Sequence, residues 1–163
     1  MTSEKFKEIA LSRSPVWPIN VVVEEYLSFI DCTGLIQLPQ SLVVIGSVNL
    51  SNYTDLIQLP QDLVVEGNLY LMGCTGLTSL PQGLVVGNCL FLAGCTGLTS
   101  ISGKIKDKIY LNEEFIEKCS IQNLLEYKDH FEKNFQDLLE SKVIQEKIKN
   151  VKLKTRFHIL KGI

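Results

Sequence analysis

The sequence predicts a β-rich repeat solenoid of 21-residue coils, with parallel strands along one face, no long convex helices and a helical segment at its C-terminal end. Three observations carry this. Cys32, Tyr53, Cys74 and Cys95 open the words CTGL, YTDL, CTGL and CTGL at a constant step of 21 residues. Within each step short apolar runs alternate with period two, as in Leu69-Tyr70-Leu71 and Leu90-Phe91-Leu92. Nothing between them has the length or the 3.6-residue periodicity of a helix. A fixed period of this size marks stacked units that cannot bury their apolar faces alone.

Residues 1–16 come first. Phe6, Ile9, Ala10 and Leu11 lie among charged residues, the pattern of a short amphipathic helix that closes the first coil. Pro15 and Pro18 end it. Residues 17–112 then form the solenoid. The step carries Leu38-Pro39-Gln40 onto Leu59-Pro60-Gln61 and Leu80-Pro81-Gln82, and backwards onto Trp17-Pro18. It also carries Leu42 onto Leu63, Leu84 and Ile105, and Val44 onto Val65 and Val86. Each frame reads as a strand, a Gly-Cys-Thr-Gly turn, and a Leu-Pro run that proline keeps out of a central ladder. Leu-Val-Val then returns the chain to the next strand, and the far side of each coil is expected to be extended or turn-like. Ile109-Tyr110-Leu111 supplies a last strand two residues ahead of the rhythm.

The words Leu69, Leu71, Cys74, Leu77 and Leu90, Leu92, Cys95, Leu98 resemble the leucine-rich repeat family, with weaker copies at Leu27, Phe29, Cys32, Leu35 and Val48, Leu50, Tyr53, Leu56. The Leu-Pro half resembles short bacterial-type repeats, including those of effectors that intracellular bacteria deliver into host cells. The resemblance departs at the leading leucine, where Ile45, Glu66 and Gly87 stand. It implies that the ladder Cys32, Tyr53, Cys74 and Cys95 points inward and caps backbone groups at the turn. Stacked about 4.8 Å apart, Cys74 and Cys95 fall within disulfide range, so geometry alone leaves a bond open. Five cysteines and no export signal favour reduced thiols and a cytoplasmic location, or delivery into a host-cell cytosol.

Residues 113–163 read as helical. Ser120 is a plausible N-cap, and Ile121, Leu124, Leu125, Phe131, Phe135, Leu138, Leu139, Val143 and Ile144 make one apolar stripe. Either one helix of about 30 residues or a hairpin broken near Ser141 fits. Net charge is −2, but residues 113–140 hold eight acids against three bases and residues 141–163 one acid against seven. The favoured reading of this switch is solvated, mutually paired helix faces. The alternative is a membrane- or nucleic-acid-binding adaptor working through the basic segment.

No phosphate loop, metalloprotease or nucleophile-elbow motif is present. His130 and His158 have no carboxylates or cysteines at metal-ligand spacing, and Cys119 does not pair with His130 by spacing. No catalytic residue, metal or cofactor is expected; an enzyme with a cysteine nucleophile is the minor alternative. The outward positions of the strands are the candidate binding surface, which the resemblance places on a concave face. Its central row is Ser28, Asn49, Tyr70, Phe91 and Tyr110. One flank is Tyr26, Ser47, Asn68, Cys89 and Lys108; the other is Ile30, Ser51, Met72, Ala93 and Asn112. A small, nearly uncharged face with aromatics toward its C-terminal half suits a protein partner, bacterial or host, better than a polyanion or a small-molecule substrate.

Overall fold

A computed structural model describes residues 1–12, 15–18, 20–30, 38–111, 115 and 118–131. Cys32, Asn112, His158 and the basic segment 141–163 lie outside the described residues. The chain begins with α1 (Ser3–Ala10), capped by Thr2, whose hydroxyl accepts from the Lys5 amide. Among the described residues ten short strands follow: β1 (Val21–Val23), β2 (Leu27–Ser28), β3 (Leu42–Val44), β4 (Val48–Asn49), β5 (Val64–Val65), β6 (Leu69–Tyr70), β7 (Val85–Val86), β8 (Leu90–Phe91), β9 (Lys104–Ile105) and β10 (Ile109–Tyr110). Then come α2 (Ile121–Glu126) and a 3-10 turn over Lys128–His130.

The strands form a β-solenoid with two parallel sheets, β1-β3-β5-β7-β9 and β2-β4-β6-β8-β10. The second is the strand face expected from the repeat. The first was expected only as a return path. Its Val-Val and Leu-Val-Val words are rich in β-branched valine, which sits well on a half-buried pleated surface. Successive coils pair in register at the 21-residue step, Val21 with Leu42, Leu27 with Val48, and Leu69 with Leu90. The core lies between the sheets and the Leu-Pro returns: Val23, Val44, Val65 and Val86 face Leu27, Val48, Leu69 and Leu90, with Leu56, Leu77 and Leu98 on the third side.

The missing leading leucine now has a physical reason. Ile45, Glu66 and Gly87 occupy the corner between the two sheets, where the chain turns over the rung below instead of pointing inward. A side chain at Gly87 would strike the Glu66 carbonyl, so this corner is filled by backbone.

One register differs from expectation. Ile105 pairs with Val86, not with Leu84. Ile101 keeps the 21-residue step from Leu80, so the two-residue shortening falls in Ser102-Gly103, before β9 instead of after it. Gly103 makes the short cut in a left-handed conformation, φ 99°, and the Ser102 hydroxyl donates to the Leu80 carbonyl.

At the N-terminal end Phe6 and Ala10 are buried, and the Phe6 ring lies 4.7 Å from Trp17 and 6.2 Å from Phe29. At the other end the described chain runs along the edge of the last coil. Asn123 accepts from the Ile101 amide and donates to its carbonyl, both at 2.7 Å, which reproduces with one side chain the pairing that a further rung would make. Tyr127 donates to the Gly103 carbonyl at 3.0 Å, and His130 Nδ1 lies 2.8 Å from the Asp107 carbonyl. Ser120 caps α2 as expected, but the helix stops at Glu126 and Phe131 bridges to Ile109 as a β-residue. An uninterrupted 30-residue helix beginning at Ser120 is therefore not formed; the remainder of the stripe, from Phe135 onward, lies outside the described residues.

Candidate binding face

The corner that launches each strand's exit is set by one residue per coil. Asn52, Gly73 and Gly94, one step apart, have φ of 64°, 72° and 79°. Only glycine, and asparagine among ordinary residues, adopts this conformation readily. The next residue is the ladder position. Cys74 and Cys95 are buried free thiols, and their Sγ atoms donate to the carbonyls of Leu50 and Leu71 at 3.1 and 2.9 Å. Each of these carbonyls also accepts the amide of its own turn, from Tyr53 and Cys74. The thiol thus fills the second lone pair of a buried carbonyl on the coil before it. Burial pushes the Cys74 thiol up to about 12, helped by the neighbouring Cys95, and pushes Cys95 up to about 11. Neither sulfur is a nucleophile at neutral pH. Tyr53 takes the same inward position and is buried in the core.

On the second sheet the inward and outward assignments are those expected. Leu69, Leu71, Leu90 and Leu92 are buried, while Ser28, Asn49, Tyr70, Phe91 and Tyr110 are half-buried on the outer side. Their three rings form one stack. Tyr70 and Phe91 have centroids 4.6 Å apart with planes 13° from parallel, and Phe91 and Tyr110 are 4.4 Å apart at 4°. The spacing follows from the backbone: rungs in register sit about 4.8 Å apart, so rings of like rotamer stack at nearly that distance. Each contact of this kind contributes about 0.5–1.5 kcal/mol beyond burial. Within the row the rings therefore present edges to a partner, and only the faces at the ends of the stack have no neighbouring ring.

Polar side chains lace the flanks. Ser47 Oγ accepts from the Asn68 amide, Asn68 Oδ1 accepts from the Cys89 amide, and Asn68 Nδ2 donates to the Tyr70 hydroxyl at 3.1 Å. Asn49 Oδ1 accepts from Ser51 N at 2.9 Å. Cys89 is half-buried with its sulfur 3.6 Å from Asp107 Oδ2, and Lys108 Nζ donates to the Asp129 carbonyl at 3.4 Å. Tyr26, Ile30 and Met72 are 49%, 46% and 39% exposed. Ala93 is half-buried beside them.

Two features escaped the sequence reading. The outer side of the first sheet carries a row of valines, Val22, Val43, Val64 and Val85, ending at Lys104. The 21-residue repetition shows the row in the sequence, but pattern alone marks it only as a return segment. An open hollow of about 280 Å³ lies at the N-terminal end between Trp17, Pro18 and Pro39. Among the described residues no group of three His, Cys, Asp or Glu side chains could hold a metal ion, and no helix is long and apolar enough to cross a membrane.

No protein-family model, curated protein or solved structure matches the chain.

Proposed function

We propose that the protein is an interaction module of the leucine-rich repeat kind that recognises, masks or recruits a protein partner through the outer face of its second sheet. The observation that carries this reading is the half-buried stack of Tyr70, Phe91 and Tyr110, bordered by the exposed apolar side chains of Tyr26, Ile30 and Met72. Aromatic residues in such settings are the usual anchors of interfaces. The strand face is small. Five rungs span four gaps, roughly 19 Å, and five residues add about 17 Å, giving on the order of 320 Å². A standard interface takes about 800 Å² per partner. The contact must extend onto a rim, and the turn rim at Thr75-Gly76 and Thr96-Gly97 adjoins the aromatic half.

Action in a cytoplasm, with delivery into a host cell as the bolder version, rests on the resemblance of the Leu-Pro repeats to bacterial effectors. Affinity purification from the native cell, followed by mass spectrometry, tests the reading. A partner held by the unaltered chain should bind about 1–3 kcal/mol more weakly to Tyr70→Ala, Phe91→Ala and Tyr110→Ala. Ser28→Ala and Asn49→Ala should change it little. A partner more sensitive to the latter pair would overturn the assignment of the aromatic row.

A further inference from the structure

The aromatic stack stops abruptly. At the rung before Tyr70 the central row holds Asn49, and at the rung before that Ser28. Asn49 turns its Oδ1 along its own strand to accept from the Ser51 amide, and its side chain is shorter than a ring. The hydroxyl of Tyr70 is held by Asn68, which keeps the ring plane upright. A stack with a pitch of 4.4–4.6 Å therefore ends on one open ring face, beside a slot one ring thick above Asn49. Tyr26 and Ile30 flank the slot on the Ser28 rung, and Met72 flanks it on the Tyr70 rung; these three are among the most exposed large apolar side chains of the sheet.

Charge selects the occupant. From residue 15 to residue 103 the sequence contains no lysine, arginine or histidine, but six acids: Glu24, Glu25, Asp31, Asp55, Asp62 and Glu66. Glu24, Glu25 and Glu66 are exposed at the corner that leads into these rungs. The two hydrogen bonds from Ser3 hold the Glu25 carboxyl below its usual range, so it is ionised at neutral pH. The cations of this end, the Met1 ammonium at the Val22 carbonyl and Lys5 and Lys7 on α1, belong to the N-terminal cap, so the repeat rungs themselves offer an anionic group no cationic side chain. A flat cation fits both features, because a guanidinium stacks on an aromatic face and an ammonium has no plane to stack. Resting on the protein-partner reading above, we propose that the slot above Asn49 receives an arginine side chain of the partner, stacked on Tyr70.

The test needs no partner. The full chain, labelled on backbone amides and aromatic rings, is titrated by NMR with N-acetyl-arginine methylamide and with the matching lysine amide. Saturable shifts are expected at the Tyr70 ring and the Asn49 and Ser28 amides, with the lysine probe roughly two- to fivefold weaker, the range of an exposed cation–ring contact. Asn49→Tyr should extend the stack by one ring and move the response off the Tyr70 ring onto the new ring and the Ser28 rung, while keeping the melting temperature. Tyr70→Leu should abolish it by removing the ring, and Asn49→Tyr decides the matter if that variant melts. Equal response to both probes, shifts centred on Tyr110 or the valine row, no saturable shift, or an undiminished response at the Tyr70 ring in Asn49→Tyr would each overturn the proposal. Such a failure alongside partner binding that still depends on Phe91 and Tyr110 would leave the interaction-module reading intact.

Discussion

Replacing Cys74 by Asp turns the ladder into a pH-dependent device whose size the structure sets. The Cys74 side chain is fully buried, and burial lifts its thiol from 9.0 to about 12. Part of that rise is repulsion from an ionised Cys95, which is neutral at pH 7, so the corresponding figure of about 4 kcal/mol is an upper bound for a negative charge at that point. A carboxyl of similar size meets the same desolvation, so its folded-state pKa should rise from about 3.9 toward, at most, about 7. Protonated, Asp donates to the Leu50 carbonyl as the thiol does; ionised, it sets one acceptor against another. The folded state then binds more protons than the unfolded chain between about pH 4 and pH 7, so stability falls as pH rises through that window. Cys74→Asp should be less stable than the unaltered chain by up to about 4 kcal/mol near pH 7.5 and recover most of this near pH 4.5. Urea titrations of both chains at the two pH values measure it. Cys89 faces outward beside Asp107, so Cys89→Asp would create a carboxylate pair; Cys89→Ser is the proper surface control and should change little at either pH. An equal loss at pH 4.5 and pH 7.5, or no loss at all, would refute the closed, apolar placement of the ladder.

Three further outcomes follow from the same contacts. The unaltered chain should lose stability above about pH 9, because its unfolded thiols ionise before Cys74 and Cys95 do; near pH 11 each should cost about 2–3 kcal/mol, and Cys74→Ala should flatten the profile. Asn123→Ala should strip both hydrogen bonds from the Ile101 backbone and cost about 2 kcal/mol, with hydrogen exchange accelerated first in the last coil. Gly87→Ala should cost more than Gly94→Ala, since a Cβ at 87 meets the Glu66 carbonyl while 94 faces chiefly the roughly 1–2 kcal/mol left-handed penalty; thermal melts of the two variants rank them.

The repeat was the legible part of this fold because translation along a solenoid is written directly into the chain. The step from Cys74 to Cys95 is the step from Leu69 to Leu90 in space, and the inward or outward direction of each strand residue follows from period two. The second sheet was harder to read. A two-residue strand such as Val64–Val65 carries almost no periodicity of its own, and only pairing with the coils on either side makes it a strand. The shortening at Ser102-Gly103 was misplaced because Leu84 and Ile105 are apolar residues at the right interval, and pattern alone cannot show which rung each one joins. The helix expected from Ser120 broke at Tyr127, where bonds to the edge of the last coil outweigh local periodicity. At the binding face the identity of the rings could be read but not their mutual stacking. That stacking converts three independent anchors into one object.

The most direct test of the interaction surface compares the two sheets in one measurement. Binding of the co-purified partner to immobilised chain would be measured by surface plasmon resonance for the unaltered protein, for Phe91→Ala on the second sheet, and for Val43→Lys on the first, with each variant's melting temperature as a fold check. Phe91 touches both neighbouring rings, so its loss should weaken binding about tenfold or more, while Val43→Lys leaves the affinity unchanged. Unchanged binding in a folded Phe91→Ala, with loss in Val43→Lys, would move the interaction surface to the valine row and contradict the account.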